Sequence, residues 1–182
     1  KGIEFMDSTF NTGFAESGEQ VVGKTIKSGL VTLLELAFAD ELRAWYSYWF
    51  QAAKIKAFVG VKEATIFESI AKEELYDHAE KIKHCLTLLG SDLSFASNLS
   101  QLLKEPNLDS NVVVPTEHNF AEVLISHINS EKLSISRYNS IITLCTKEDK
   151  LWAAPMFKEI LGDEESHLRL LTNLANARRI EY

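Results

Sequence analysis

Apolar residues recur every three or four positions through most of this chain, and polar residues fill the positions between them. That period predicts helices, because it lays one apolar stripe along a 3.6-residue turn. The first predicted helix runs from about Ser28, a suitable N-cap, to Phe58, where Gly60 ends it. Its stripe is Leu30, Leu33, Leu34, Ala37, Ala44, Tyr48, Ala52 and Ile55. The second runs from Val61 to Leu89, stopped by Gly90, with Ile66, Phe67, Ile70, Leu75, Ile82, Cys85 and Leu89 facing inward or partly so. The third is expected from Pro115–Thr116, with Thr116 as N-cap, to Thr146. The fourth is expected from Glu148 to Arg178, with Pro155 in its first two or so turns.

Short turns join the first two helices around Gly60 and the last two around Lys147–Asp149. Between the pairs lies a stretch of about 25 residues, Ser91 to Pro115, and this order of hairpin, long crossover and hairpin predicts an all-α four-helix bundle. Phe95 to Lys104 could add a short amphipathic helix within the crossover. Residues 1–27 are rich in Gly, Ser, Thr and Asn and lack sustained periodicity, so they read as a flexible extension ahead of a domain spanning 28–182.

Composition narrows the classes. With 46% hydrophobic and 25% charged residues in 182, the chain reads as one soluble globular domain. No apolar run approaches the ~20 residues of a membrane span, and the N-terminus lacks a signal-peptide pattern, so a cytoplasmic location is expected. The net charge of −7 argues against a nucleic-acid binder. Two cysteines, Cys85 and Cys145, exclude a disulfide framework; buried thiols are expected, with a redox pairing left open.

Four glutamates interrupt the apolar stripes, where an uncompensated charge is costly. Glu41 lies in the first helix, Glu74 with His78 in the second, Glu131 in the third and Glu164 with His167 in the fourth. Thirty-three positions separate Glu41 from Glu74, and thirty-three separate Glu131 from Glu164. At 1.5 Å per residue, ~16 residues up one helix and ~16 down the next return to the same height. Each hairpin therefore brings one glutamate and one Glu–His pair to one level, and two facing hairpins bring four carboxylates and two imidazoles together. That donor set suits two Fe²⁺ or Mn²⁺ ions sharing bridging carboxylates. His84, His118 and His127 have no matching partners and read as structural, with His127, one turn before Glu131, closest to the candidate site.

These residues resemble the ferritin-like di-iron carboxylate superfamily, especially bacterioferritins and the bacterioferritin-related Dps-like proteins, over about residues 30–178. Ile160-Leu-Gly-Asp-Glu-Glu-Ser-His-Leu-Arg-Leu-Leu171 resembles the fourth-helix motif, which implies Glu164 and His167 as ligands. Glu41-Leu-Arg-Ala-Trp-Tyr-Ser-Tyr-Trp49 resembles the first-helix motif, in which a tyrosine near the metals, here Tyr48, follows the ligand glutamate by seven residues. Glu131, followed by Arg137-Tyr138, resembles the third-helix region of the Dps-like group. The second helix departs from the family pattern: Glu74 and His78 are four apart rather than three, which a π-bulge would absorb, or Glu73 or Asp77 would take part instead.

The resemblance implies a ferroxidase in which two iron ions per subunit, with manganese as a further candidate, are bridged by Glu74 and Glu164 and capped by Glu41 and Glu131. Fe²⁺ is oxidised by peroxide or dioxygen and stored as ferric mineral. Tyr48 would hydrogen-bond a ligand or donate an electron, with a packed core tyrosine as the equal alternative. Leu75 stands where bacterioferritins carry their haem-binding methionine, so no haem of that kind is expected. The chain given ends at Tyr182, with no fifth helix expected, and the resemblance then implies a homo-oligomeric shell of 12 rather than 24 subunits. The rival readings are a di-manganese catalase or rubrerythrin-like peroxidase, a di-iron oxygenase with a pocket beside the metals, and a metal-free bundle.

Overall fold

The computed structural model describes residues 28–91, 93–94 and 119–182, and the regular elements among them are all helical. Helix α1 is Gly29–Phe58. Helix α2 is continuous but has three parts, Val61–Glu73, a π-helical turn over Glu74–Ala79, and Glu80–Leu88. Helices α3 and α4 are Phe120–Lys147 and Ala154–Ala177. The predicted extension over 1–27, the crossover helix and the Thr116 cap lie outside the described residues.

The packing is a four-helix bundle of two hairpins, α1 with α2 and α3 with α4. Ser28 caps α1 as predicted, its Oγ accepting from Val31 N at 3.1 Å. A second cap reaches α1 from the other hairpin, because Glu148 Oε1 accepts from Leu30 N at 2.9 Å. Gly90 takes φ +80° just past α2, where Ser91 N returns to Leu86 O and Gly90 N to Thr87 O, a paired closure that favours a residue without Cβ.

Among the described residues helix α3 begins at Phe120, with Asn119 at its N-cap position. One helix start differs from the pattern-based boundary. Helix α4 begins at Ala154 rather than Glu148. The Glu148–Asp149 pair instead ends α3: Asp149 adopts φ +55°, and Lys150 N closes on Cys145 O at 2.7 Å. A turn over 151–153 follows, and Pro155 then sits at the start of α4, where its missing N–H costs no hydrogen bond.

The core falls into two apolar clusters. One joins the start of α1 and the end of α2 to the end of α3 and the start of α4, around Leu34, Ile82, Tyr138, Ile141 and Phe157. The other, around Ile55, Phe67, Leu124, Ile128 and Leu171, fills the opposite end. Between them lies a buried polar layer formed by the six residues that the spacing singled out.

Candidate metal centre

Glu41, Glu74, His78, Glu131, Glu164 and His167 are each at most 2% exposed, and they meet at mid-bundle. The π turn decides the contribution of α2. Its wider i→i+5 winding absorbs one extra residue, so His78 lies beside Glu74 although four positions separate them. His78 Nδ1 lies 3.0 Å from Glu74 Oε2, 3.3 Å from Glu164 Oε1 and 3.6 Å from Glu41 Oε2. His167 Nδ1 lies 3.4 Å from Glu74 Oε1, 3.7 Å from Glu131 Oε2 and 3.8 Å from Glu164 Oε2. Glu74 and Glu164 each turn one oxygen to either histidine.

The six residues thus form two groups of four donors that share a pair of carboxylates, Glu41–Glu74–His78–Glu164 and Glu74–Glu131–Glu164–His167. Within each group one donor atom per residue lies within 4.8 Å of all the others. That is the arrangement a pair of cations bridged by two carboxylates requires.

The surroundings repeat the same two-fold logic. Tyr48 of α1 donates to Glu131 of α3, and Tyr138 of α3 donates to Glu41 of α1. Both phenols are held protonated well above their ordinary range, by burial first and by the neighbouring carboxylates next. Tyr138 follows Glu131 by seven positions as Tyr48 follows Glu41, and this repeated offset was the signal that could have marked it. Glu73, directly before Glu74, lies with Oε2 2.7 Å from His167 Nε2. Asp163, directly before Glu164, comes within 3.6 Å of His78 Nε2.

His127 lies outside both donor groups. Its Nδ1 donates to Val123 O at 2.8 Å and its Nε2 accepts from Ser47 at 3.2 Å, while the ring packs 4.3 Å from Tyr48. It props the phenol that holds Glu131. A polar cleft of about 230 Å³ between α1 and α3, lined by Asp40, Arg43, Ser47, Ser130 and Arg137 among others, reaches down to Tyr48. Leu133 lines this cleft and is 67% exposed.

The donors fit metal ions on two counts. Glu131 Oε2, both Glu164 oxygens, His78 Nε2 and His167 Nδ1 are buried without a hydrogen-bond partner, which a folded protein rarely leaves uncompensated. Without metal, protons do the compensating. Burial first, and then the Glu41 and Glu164 charges, push Glu74 well above the usual carboxylate range. Burial with Glu164 raises Glu131 to about 7 despite the opposing pull of His167. Burial opposes charge on His78, but Glu164, Glu41 and Glu74 outweigh it and raise the ring to about 12; His167 is raised likewise against its burial by Glu131, Glu164 and Glu74. For Glu41 and Glu164 burial is outweighed by the neighbouring groups, Glu74 and His78 beside Glu41 and the His167 and His78 rings beside Glu164, and both pKa values fall.

The family model of the ferritin-like domain matches residues 31–180. The chain belongs to the ferritin-like family. A bacterioferritin from Desulfovibrio desulfuricans is 23% identical over 150 residues, which is 82% of this chain and 76% of that protein. The fold is also that of the Rhodobacter capsulatus bacterioferritin, a structure with a metal-free dinuclear site and a haem iron. The two superpose with a TM-score of 0.62 at 20% identity, over 81% of this chain and 86% of that one. The ferritin of M. penetrans gives a TM-score of 0.63 at 15% identity, over 81% and 84% of the two chains. At the level of the family, this membership carries iron storage and ferroxidase chemistry. Among the described residues of this ferritin-like chain, no helix is long and apolar enough to cross a membrane.

Proposed function

We propose that this chain is a subunit of an iron-oxidising and iron-storing shell, with two Fe²⁺ ions as substrates held by Glu41, Glu74, His78, Glu131, Glu164 and His167. The observation that carries the proposal is the pair of four-donor groups sharing Glu74 and Glu164. Each Fe²⁺ supplies one electron, and the pair reduces one molecule of hydrogen peroxide with two protons to two of water; dioxygen is the other oxidant of this reading. Manganese suits the same donors and remains the second candidate metal.

The chain's own residues hold the ions and manage charge. Glu74 and Glu164 span both positions, so a change at one is felt at the other. Glu41 and Glu131 close the two ends, each fixed by a phenol from the facing helix. Glu73, accepting from His167 Nε2, directs the lone pair of Nδ1 toward the donors. Tyr48 lies between the polar cleft and Glu131, where it can pass a proton or an electron between solvent and the centre. Leu75 offers no haem ligand after Glu74.

Homo-oligomeric assembly follows the bacterioferritin relatives, and native mass measurement distinguishes the expected 12 subunits from 24. Peroxide as oxidant, a protective role under oxidative stress and a cytoplasmic setting complete the reading. The test is stoichiometric Fe²⁺ addition under peroxide and then under air, following oxidation rate and iron retained in the particle. Rapid oxidation with retained iron, abolished in Glu41→Ala/Glu164→Ala, is expected. Undiminished oxidation in that variant would sink the proposal, and oxidation without retention would favour the rubrerythrin-like peroxidase alternative.

A further inference from the structure

The two-fold pattern around the centre breaks at one place. Glu73 and Asp163 occupy matching positions, each just before a bridging glutamate and each facing the histidine of the other helix. The longer Glu73 reaches His167 Nε2 at 2.7 Å. The shorter Asp163 stops 3.6 Å from His78 Nε2, and that nitrogen has no hydrogen-bond partner although His78 is fully buried. Asp77, carried on the same π turn as His78, stands at this gap. One oxygen of Asp77, one of Asp163 and a ring nitrogen of His78 all lie within 4.8 Å of one another.

We propose that Asp77, Asp163 and His78 Nε2 form a loading site for a divalent cation, from which the ion passes into the Glu41–Glu74–His78–Glu164 position. The proposal rests on the dinuclear reading above and adds the route by which that centre is filled. Two carboxylates and an imidazole suit Fe²⁺, Mn²⁺ or Co²⁺ and leave coordination positions for water, as a transient site requires. The side chains of Asp77 and Asp163 are 42% and 46% exposed, so a hydrated cation meets them first, and the buried imidazole separates them from the inner carboxylates.

The chemistry of the ring makes the two positions alternatives. A neutral imidazole has one nitrogen with a free lone pair and one that carries hydrogen. An ion on Nε2 leaves the hydrogen on Nδ1, and an ion on Nδ1 reverses the assignment. The outer position is therefore filled before the inner one rather than together with it, and two metals per chain remain the final count. Lys81 already occupies part of the approach, pairing with Asp77 at 2.7 Å and with Glu159 at 3.4 Å, so it competes with the incoming cation.

The test uses anaerobic mixing of the assembled, metal-free protein with Co²⁺, which does not turn over, read by its ligand-field absorbance. Wild type should bind two Co²⁺ per chain. Asp77→Asn/Asp163→Asn should keep that stoichiometry and its thermal melt while binding at low Co²⁺ slows about tenfold. Lys81→Gln should bind faster than wild type, a gain that misfolding cannot produce. An unchanged rate in the Asn variant would overturn the loading site. So would the loss of one Co²⁺ per chain, which would make the two aspartates supports for His78 instead. Failure of the wild type to bind two Co²⁺ would be a different result, removing the dinuclear reading itself.

Discussion

At the scale of single residues, the centre turns Nδ1 of each histidine toward three carboxylates, Glu74 and Glu164 together with Glu41 for His78 and with Glu131 for His167. Glu73 enforces this for His167 without touching the metal positions, its carboxylate lying 2.7 Å from Nε2. Glu73→Ala should lower affinity for Co²⁺ or Zn²⁺ by about 10–100-fold at unchanged stoichiometry, measured by chelator competition. Protons are the second lever. In the metal-free state burial pushes Glu74 well above the usual carboxylate range, the surrounding carboxylates raise His78 and His167 so that both rings hold protons at neutral pH, and Glu131 titrates near 7. Metal ions displace those protons, so affinity should rise steadily from pH 6 to pH 8, less steeply once Glu131 has ionised. Zn²⁺ addition to weakly buffered protein should correspondingly release acid; pH-independent binding without proton release would contradict the arrangement.

At the scale of elements, the π turn in α2 lets a Glu–His pair four apart match the pair three apart on α4. Tyr76 lies inside this turn and is 74% exposed, so its loss removes little packing. Deleting Tyr76 should convert the turn to regular α-helix, leave the flanking register intact, and preserve two metals per chain with a melting temperature no lower than wild type. Loss of both metals on deletion would mean that the π geometry itself is required. The repeated 33-residue spacing and the stripes were legible in the sequence because helical rise and period are local properties. The start of α4 was not. Glu148 and Asp149 carry the composition of a helix N-terminus, yet they close α3, and Glu148 caps α1 across the bundle. That use depends on a neighbour more than a hundred positions away.

At the scale of the whole molecule, the polar layer divides the core in two, and all four helices bring to it buried ionisable groups that cost stability unless compensated. Loading with Zn²⁺ should raise the melting temperature, with a gain that grows with free metal concentration. The Glu41→Leu/Glu131→Leu variant should melt higher than metal-free wild type while losing the metal-dependent gain, because it replaces two buried carboxylates by apolar groups. Calorimetry with and without Zn²⁺ checks both. A variant melting well below metal-free wild type would show that the carboxylates and their tyrosine hydrogen bonds stabilise the empty bundle.

The sequence by itself determined the bundle, its hairpin order and the level at which six polar residues would meet, since each follows from helical geometry and the cost of placing charge on an apolar stripe. It also carried the extra residue in α2 and the π turn as one way to absorb it. Only the tertiary structure decided which oxygen faces which nitrogen, that Tyr138 pairs with Glu41 as Tyr48 does with Glu131, and that Glu73 holds its histidine while Asp163 falls short of the other. Those distinctions rest on distances of an ångström or less between side chains from different helices, set by packing across the bundle rather than by spacing along the chain.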